Sequence, residues 1–211
     1  MSSVSSNRKK AALAKAVRRP PQQERSERTL AAILDVASSL FAEVGFEATT
    51  MTTIASRSGT SIGGLYHYFP DKSSIVLALA HQYGLAIEAE WKPLITQAPE
   101  FSPRQFADIF IETMLRLVRQ HPAYLTLQTA PVRFRRDPAS RRALRLAIAN
   151  AFRAKNPALT EERAFLSANV VVQTVSGMTR LFAESALQDQ PTVVADYKVI
   201  LTAYLTAILR G

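Results

Sequence analysis

The chain has 211 residues and no cysteine, so disulfides and thiolate metal ligands are excluded, as in a reducing cytoplasm. Hydrophobic residues make up 47%, enough for a real core, and no uninterrupted apolar run approaches the roughly 18–20 residues that span a bilayer. The formal charge of +9 is concentrated at one end: residues 1–28 hold eight Lys or Arg (Arg8, Lys9, Lys10, Lys15, Arg18, Arg19, Arg25, Arg28) against Glu24 and Glu27.

That basic start has no long apolar stretch behind it and is not expected to be a secretory signal. It suits either a solvated tail or a polyanion contact, and charge alone does not choose. Residues 26–44 then place Leu30, Ile33, Leu34, Ala37, Leu40, Phe41 and Val44 at steps of three and four, one apolar stripe on one helix. Ser26 suits its N-cap and Gly45 its stop.

Between Gly45 and Pro70 the texture changes to short, threonine-rich segments holding four of the seven glycines. Here "GTSIG", residues 59–63, matches the G-x-S-x-G pattern of a nucleophile elbow, which would make Ser61 a hydrolase nucleophile. An elbow needs a parallel sheet, an oxyanion loop upstream, and an acid and a histidine downstream. Only a charged tail and one helix precede Ser61, no His-Gly-Gly loop precedes it, and the downstream histidines sit in helical patterns. A helix-turn-helix accounts for more residues. Thr50 caps a helix over 51–58 with Ile54 and Ala55 inward, Gly59 makes the turn, and Ser61 caps a helix over 62–68 with Leu65 inward.

Further along, Asp71 opens a long helix with Ile75, Leu79, Tyr83, Ile87 and Trp91 in step and Pro93 near its end. Ser102-Pro103 starts another, with Phe106, Phe110, Met114 and Leu117, that stops before His121-Pro122. Asp137-Pro138 starts the next, with Leu144, Ile148 and Phe152. Thr160 opens one running to about Leu187, with Glu161 and Glu162 at the positive end of its dipole. The last, about 192–210, carries a wide stripe of Val193, Val194, Tyr197, Ile200, Leu201, Tyr204, Leu205 and Ile208. With no hairpin signal, the chain is expected to be all-α, about nine helices. His67, His81 and His121 lie too far apart in sequence for a local metal site, so neither metal nor cofactor is expected.

Over about residues 25–75, "FAEVGFEATTMTTIA", the turn at Gly59 and "LYHYFPDK" resemble the DNA-binding domain of TetR-type (TetR/AcrR) transcriptional regulators. The resemblance implies a basic arm over 1–24, a three-helix helix-turn-helix domain over 25–72, and a helical bundle for ligand binding and dimerisation over 73–211. It places Ile62, Gly63, Gly64, Tyr66 and His67 in the major groove, with Ser61 opening that helix, and Thr50, Thr52 and Lys72 on phosphates. Family members are often polar or basic where Ile62 and Gly64 stand here, which leaves the operator sequence open.

The resemblance implies a double-stranded DNA operator, a homodimer, a small apolar or amphipathic effector, and no membrane. Trp91, Phe106, Phe110, Met114, Tyr124, Phe152, Met178 and Phe182 are the candidates for the effector pocket. Val172, Thr179, Tyr197, Leu201, Tyr204 and Leu205 are those for the dimer interface, and the small residues of "VSGMTR" suit close helix approach. The Arg-rich run 133–145 is expected to be a solvated basic face, with contact to an anionic effector or to DNA as the alternative. The function so implied is a repressor released from its operator by the effector. The alternatives are a DNA-binding regulator or activator without an effector and, remotely, a serine hydrolase.

Overall fold

The computed structural model describes residues 21–132, 138–186 and 188–210, and every regular element among them is helical. In chain order these are α1 (Pro21–Ala48), α2 (Met51–Arg57), α3 (Ile62–Tyr68), α4 (Lys72–Gln97), α5 (Pro103–Gln120), α6 (Tyr124–Thr129), α7 (Pro138–Lys155), α8 (Glu161–Glu184) and α9 (Gln190–Leu209), with a single 3-10 turn at Ala98–Glu100. Most of the basic arm, the arginines at 133, 135 and 136, and the expected end of α8 at Leu187 lie outside the described residues.

Local chemistry sets most boundaries. Asp71 and Ser102 each close a reciprocal capping box, with Ser74 and Gln105. The Thr160 side chain accepts from the Arg163 backbone N–H. Two expectations shift. Ser26 is not a cap: α1 begins at Pro21, and the Ser26 hydroxyl lies 3.0 Å from that of Tyr68, joining α1 to the end of α3. Gly45 breaks α1 at φ 83° as expected, but helical geometry resumes beyond it to Ala48, with the Thr49 hydroxyl donating to the Gly45 carbonyl. The element the pattern did not enumerate is α6, whose six residues are too short for a periodic stripe.

Apolar side chains gather in two clusters. The first joins Ile33, Ala37, Leu40 and Phe41 of α1 with Ile54, Ala55, Leu65 and Phe69, and takes in Ile75, Val76, Leu79 and Tyr83 of α4. The second is built from α4 beyond Ile87 together with α5 and α7–α9. Helix α4 thus gives its first three turns to one core and the rest to the other. The first core continues past residue 72, and Ala123, just before α6, is buried in it too.

By length and composition alone, Gln23–Ala48 and Gln190–Leu209 are apolar enough to cross a membrane, each with a mean hydropathy of 1.5. No uninterrupted apolar run marks them, because scattered charges such as Asp35 and Glu43 in the first and Asp196 and Lys198 in the second break the runs without lowering the average much. In α1 the apolar residues form the stripe that fills the first core. In α9 Leu201, Leu205, Ile208 and Leu209 are buried in the second core, and Val199 and Ile200 stay exposed.

Candidate nucleic-acid interface and its cavity

Residues 51–57, which an elbow would need as a strand, are helix. Their exit satisfies the last carbonyls in pairs: Thr60 N–H donates to Ala55 O and Gly59 N–H to Ser56 O. The residue at the bend, Gly59, sits at φ 68°, where glycine carries no Cβ penalty. The Ser61 hydroxyl accepts from Gly64 N–H at 3.0 Å, which makes it the N-cap of α3. A Cβ at Gly64 would lie 3.0 Å from that oxygen and 3.1 Å from Thr60 Cγ2, so glycine keeps the cap room. A Cβ at Gly63 would meet nothing within 4 Å. A Cβ at Gly64 would thus press on the cap, whereas Gly63 leaves bare backbone facing outward.

Helix α3 turns one side inward through Leu65, which is fully buried. Ile62 (43% exposed), Gly63, Tyr66 (51%) and His67 lie open on the other side. Thr50 caps α2 by accepting from Thr53 N–H, and Thr52 is exposed beside it. The expected outward face is therefore assembled, with Gly64 half-buried beneath it.

Lys72 departs from expectation. Its ammonium turns back to the end of α1, donating to the carbonyls of Phe46 (2.5 Å) and Thr49 (2.8 Å), with Glu47 O at 3.3 Å, and it lies 4.1 Å from the centre of the Phe46 ring. These carbonyls follow the break at Gly45 and have no further helical turn to bond, so the cation neutralises a cluster of exposed acceptors. Its three donors are engaged there rather than offered to a phosphate. Arg57 is likewise held, by Glu43 at 2.8 Å.

A cavity of about 460 Å³ opens between α4, α6, α7 and α8. Of the eight expected pocket residues it takes Trp91, Met114 and Tyr124. Phe106, Phe110 and Phe152 instead pack on one another in the second core, the first two stacked at 4.0 Å. Met178 is fully buried there, and Phe182 packs against the same cluster. Apolar type alone could not separate lining from filling. Two residues assigned to the dimer interface, Val172 and Thr179, line the cavity, because α8 turns that side toward α4 and α7. Leu201 and Leu205 are fully buried within their own chain. Tyr197 and Tyr204 are half-buried against the second core, and the Tyr197 hydroxyl lies 3.4 Å from where a Gly177 Cβ would stand. The small residue of "VSGMTR" thus serves contact between α8 and α9 of one chain.

Tyr83, not expected in the pocket, is in the lining, and so are Arg141 and Arg145, so the run 133–145 is not wholly the solvated basic face expected of it. The spacing holds a signal for the arginines. Arg141 and Arg145 stand three residues before and one after Leu144, in step with Ile148, on the stripe that faces the core. Tyr83 also reaches the first domain, its hydroxyl 2.7 Å from that of Ser38 on α1. Burial raises its pKa, opposed by that hydrogen bond. The His121 ring packs 4.5 Å from the Tyr83 ring, and burial lowers the histidine's pKa.

Two family models match this chain. One describes bacterial regulatory proteins of the tetR family, over residues 33–79, and the other a Tetracyclin repressor-like C-terminal domain, over residues 102–205. The HTH-type transcriptional repressor KstR2 of Rhodococcus jostii is 50% identical over 44 residues, 21% of this chain and 22% of that protein. The HTH-type transcriptional regulator RutR of Escherichia coli K12 is 30% identical over 91 residues, 43% of this chain and 42% of that protein. The matched stretch thus spans less than half the length of either curated relative. Among solved structures, a TetR-family transcriptional regulator from Streptomyces coelicolor superposes with a TM-score of 0.64 at 20% identity, covering 86% of this chain and 99% of that one, a likeness of fold.

Proposed function

This chain belongs to the TetR family of bacterial regulatory proteins, and we propose that it is a dimeric repressor that a small molecule releases from its operator. The observation that carries the reading is the path of α4. One helix begins directly after the exposed face of α3 and runs along the wall of a cavity 460 Å³ in volume, within the usual range for small-molecule sites. A ligand that favours one tilt of α4 biases where α3 points. By linkage, DNA must weaken ligand binding by the same factor that ligand weakens DNA binding.

Ile62, Tyr66 and His67 are the base readers in this scheme, with Gly63 admitting close backbone approach. Thr50 and Thr52 hold phosphates. With the Lys72 ammonium on the α1 carbonyls and Arg57 in a surface pair with Glu43, the attraction to DNA falls chiefly to the basic residues of 1–28. Dimerisation follows from the geometry of B-DNA, since two α3 helices must sit about 34 Å apart, or a multiple of that, to read two half-sites. The exposed apolar residues Leu166, Val170 and Leu181 of α8 and Val199 and Ile200 of α9 suit that contact.

The test is selection of duplexes from a random pool, followed by release of the retained DNA with a ligand library. The reading expects palindromic or near-palindromic sites and at least one compound that releases them. Retention without a sequence preference would defeat the repressor assignment. A ligand that binds tightly but leaves operator affinity unchanged would remove the effector role for that compound.

A further inference from the structure

The cavity is not uniformly apolar. Its described lining contains Arg141 and Arg145 and no aspartate or glutamate. Arg145 is held in place: its Nε donates to Asn169 Oδ1 and its Nη1 to the Arg141 carbonyl. The guanidinium of Arg141 forms no hydrogen bond or ion pair with the described residues, and its Nε is buried without a partner. Trp91 lines the same cavity, is 3% exposed, and its indole Nε1 is also a buried donor without a partner.

Buried donors left unpaired are costly and uncommon in folded proteins. Neither atom is open to a ligand, so what the lining offers is the positive charge of Arg141, whose Nη groups are not sealed and meet no acid in the described lining. The rest of the wall is largely apolar or aromatic, with Ile87, Met114, Leu127, Leu144 and Val175, and carries Gln128, Ser176 and Thr179 as neutral polar groups. We infer that the effector is an amphipathic organic carboxylate, its head group on Arg141 and its body along the apolar part of the wall. A guanidinium presents two parallel N–H donors to a carboxylate, a match that an alcohol or an amine cannot make. The inference rests on the reading of this cavity as the effector site and adds the chemistry of what fills it.

Matched ligands test it on the full-length protein. Decanoate, decanol and decylamine share one body, and 4-phenylbutanoate, 4-phenylbutanol and 4-phenylbutylamine share another. Trp91 is the only tryptophan, so its fluorescence reports occupancy directly. At pH 7 the acids should bind about tenfold or more tightly than their alcohols, the gain expected of a charge-assisted hydrogen bond. The amines should bind weakest. Arg141→Gln should bring acid and alcohol to parity, and Arg141→Lys should restore part of the preference. The comparison in the unaltered protein needs no variant to fold. Equal affinity for acid and alcohol, a preference for the amine, or an acid preference that survives Arg141→Gln would overturn the head-group assignment and leave a small-molecule site standing. Failure of all six compounds to bind would remove both.

Discussion

At the scale of single residues, the two glycines that open α3 have different jobs. Gly63→Ala adds a methyl to open space and gains helix propensity, so thermal melts should show about 0.5–1 kcal/mol more stability. The same change should weaken operator binding if DNA approaches this backbone, and unchanged affinity would remove that role. Gly64→Ala crowds the Ser61 cap at 3.0 Å and should lose most or all of the propensity gain. His121 gives a prediction in pH. Its pKa lies below the ordinary 6.5 in the folded state, so the unfolded chain takes up its proton first as pH falls. Stability is then full above about 6.5 and declines as pH drops from there to the depressed folded value. His121→Gln should flatten that part of the melting-temperature profile. A wild-type profile already flat between pH 7 and 5 would contradict the burial of this ring against Tyr83.

At the scale of elements, Lys72 belongs to α4 by sequence and to the end of α1 by contact. Lys72→Ala should therefore destabilise the protein by about 1–3 kcal/mol, the loss of charged hydrogen bonds to carbonyls left unsatisfied. Denaturant melts will show it, and operator affinity should fall only as far as the first domain loosens. If stability held while affinity dropped evenly across all sequences, the lysine would be a phosphate contact after all. The capped starts at Thr50, Ser61, Asp71, Ser102 and Thr160 were all legible in the sequence, because a cap is a local pairing between a side chain and the N–H three residues on. The carbonyl cluster around Lys72 was not, because its partners lie 23 to 26 positions away.

For the molecule as a whole, the dimer prediction turns on which apolar residues of α9 are uncovered. Val199 is 68% and Ile200 52% exposed, whereas Leu205 is fully buried in its own chain. Aspartates at 199 and 200 should give folded monomers in sedimentation that no longer hold a two-half-site operator. Leu205→Asp should instead cost several kcal/mol and unfold the second core, as an uncompensated buried charge does. A Val199/Ile200 double variant that stays dimeric would move the interface elsewhere. Removal of residues 1–20 should flatten the dependence of DNA affinity on salt by about 0.9 in log–log slope for each phosphate that the arm neutralises. An unchanged slope would return the arm to a solvated tail.

The sequence alone determined the all-helical class and the capped turn at Gly59 and Ser61, because helix period and capping are set by neighbours within four residues, whereas the outward set with Ile62, Tyr66 and His67 was implied by the family resemblance. Only the tertiary structure decided which apolar side chains fill the core and which line a void. Phe106 and Trp91 follow the same helical spacing rules, yet one is stacked in the core and the other walls the cavity. The same holds for charge. Arg141 and Arg142 are adjacent in a run of arginines, and a rotation of about 100° per residue puts the first in the cavity wall and the second outside, 5.4 Å from the Phe165 ring. Which side of a helix finds a neighbour depends on how the other helices pack, and no window of sequence along one helix contains that information.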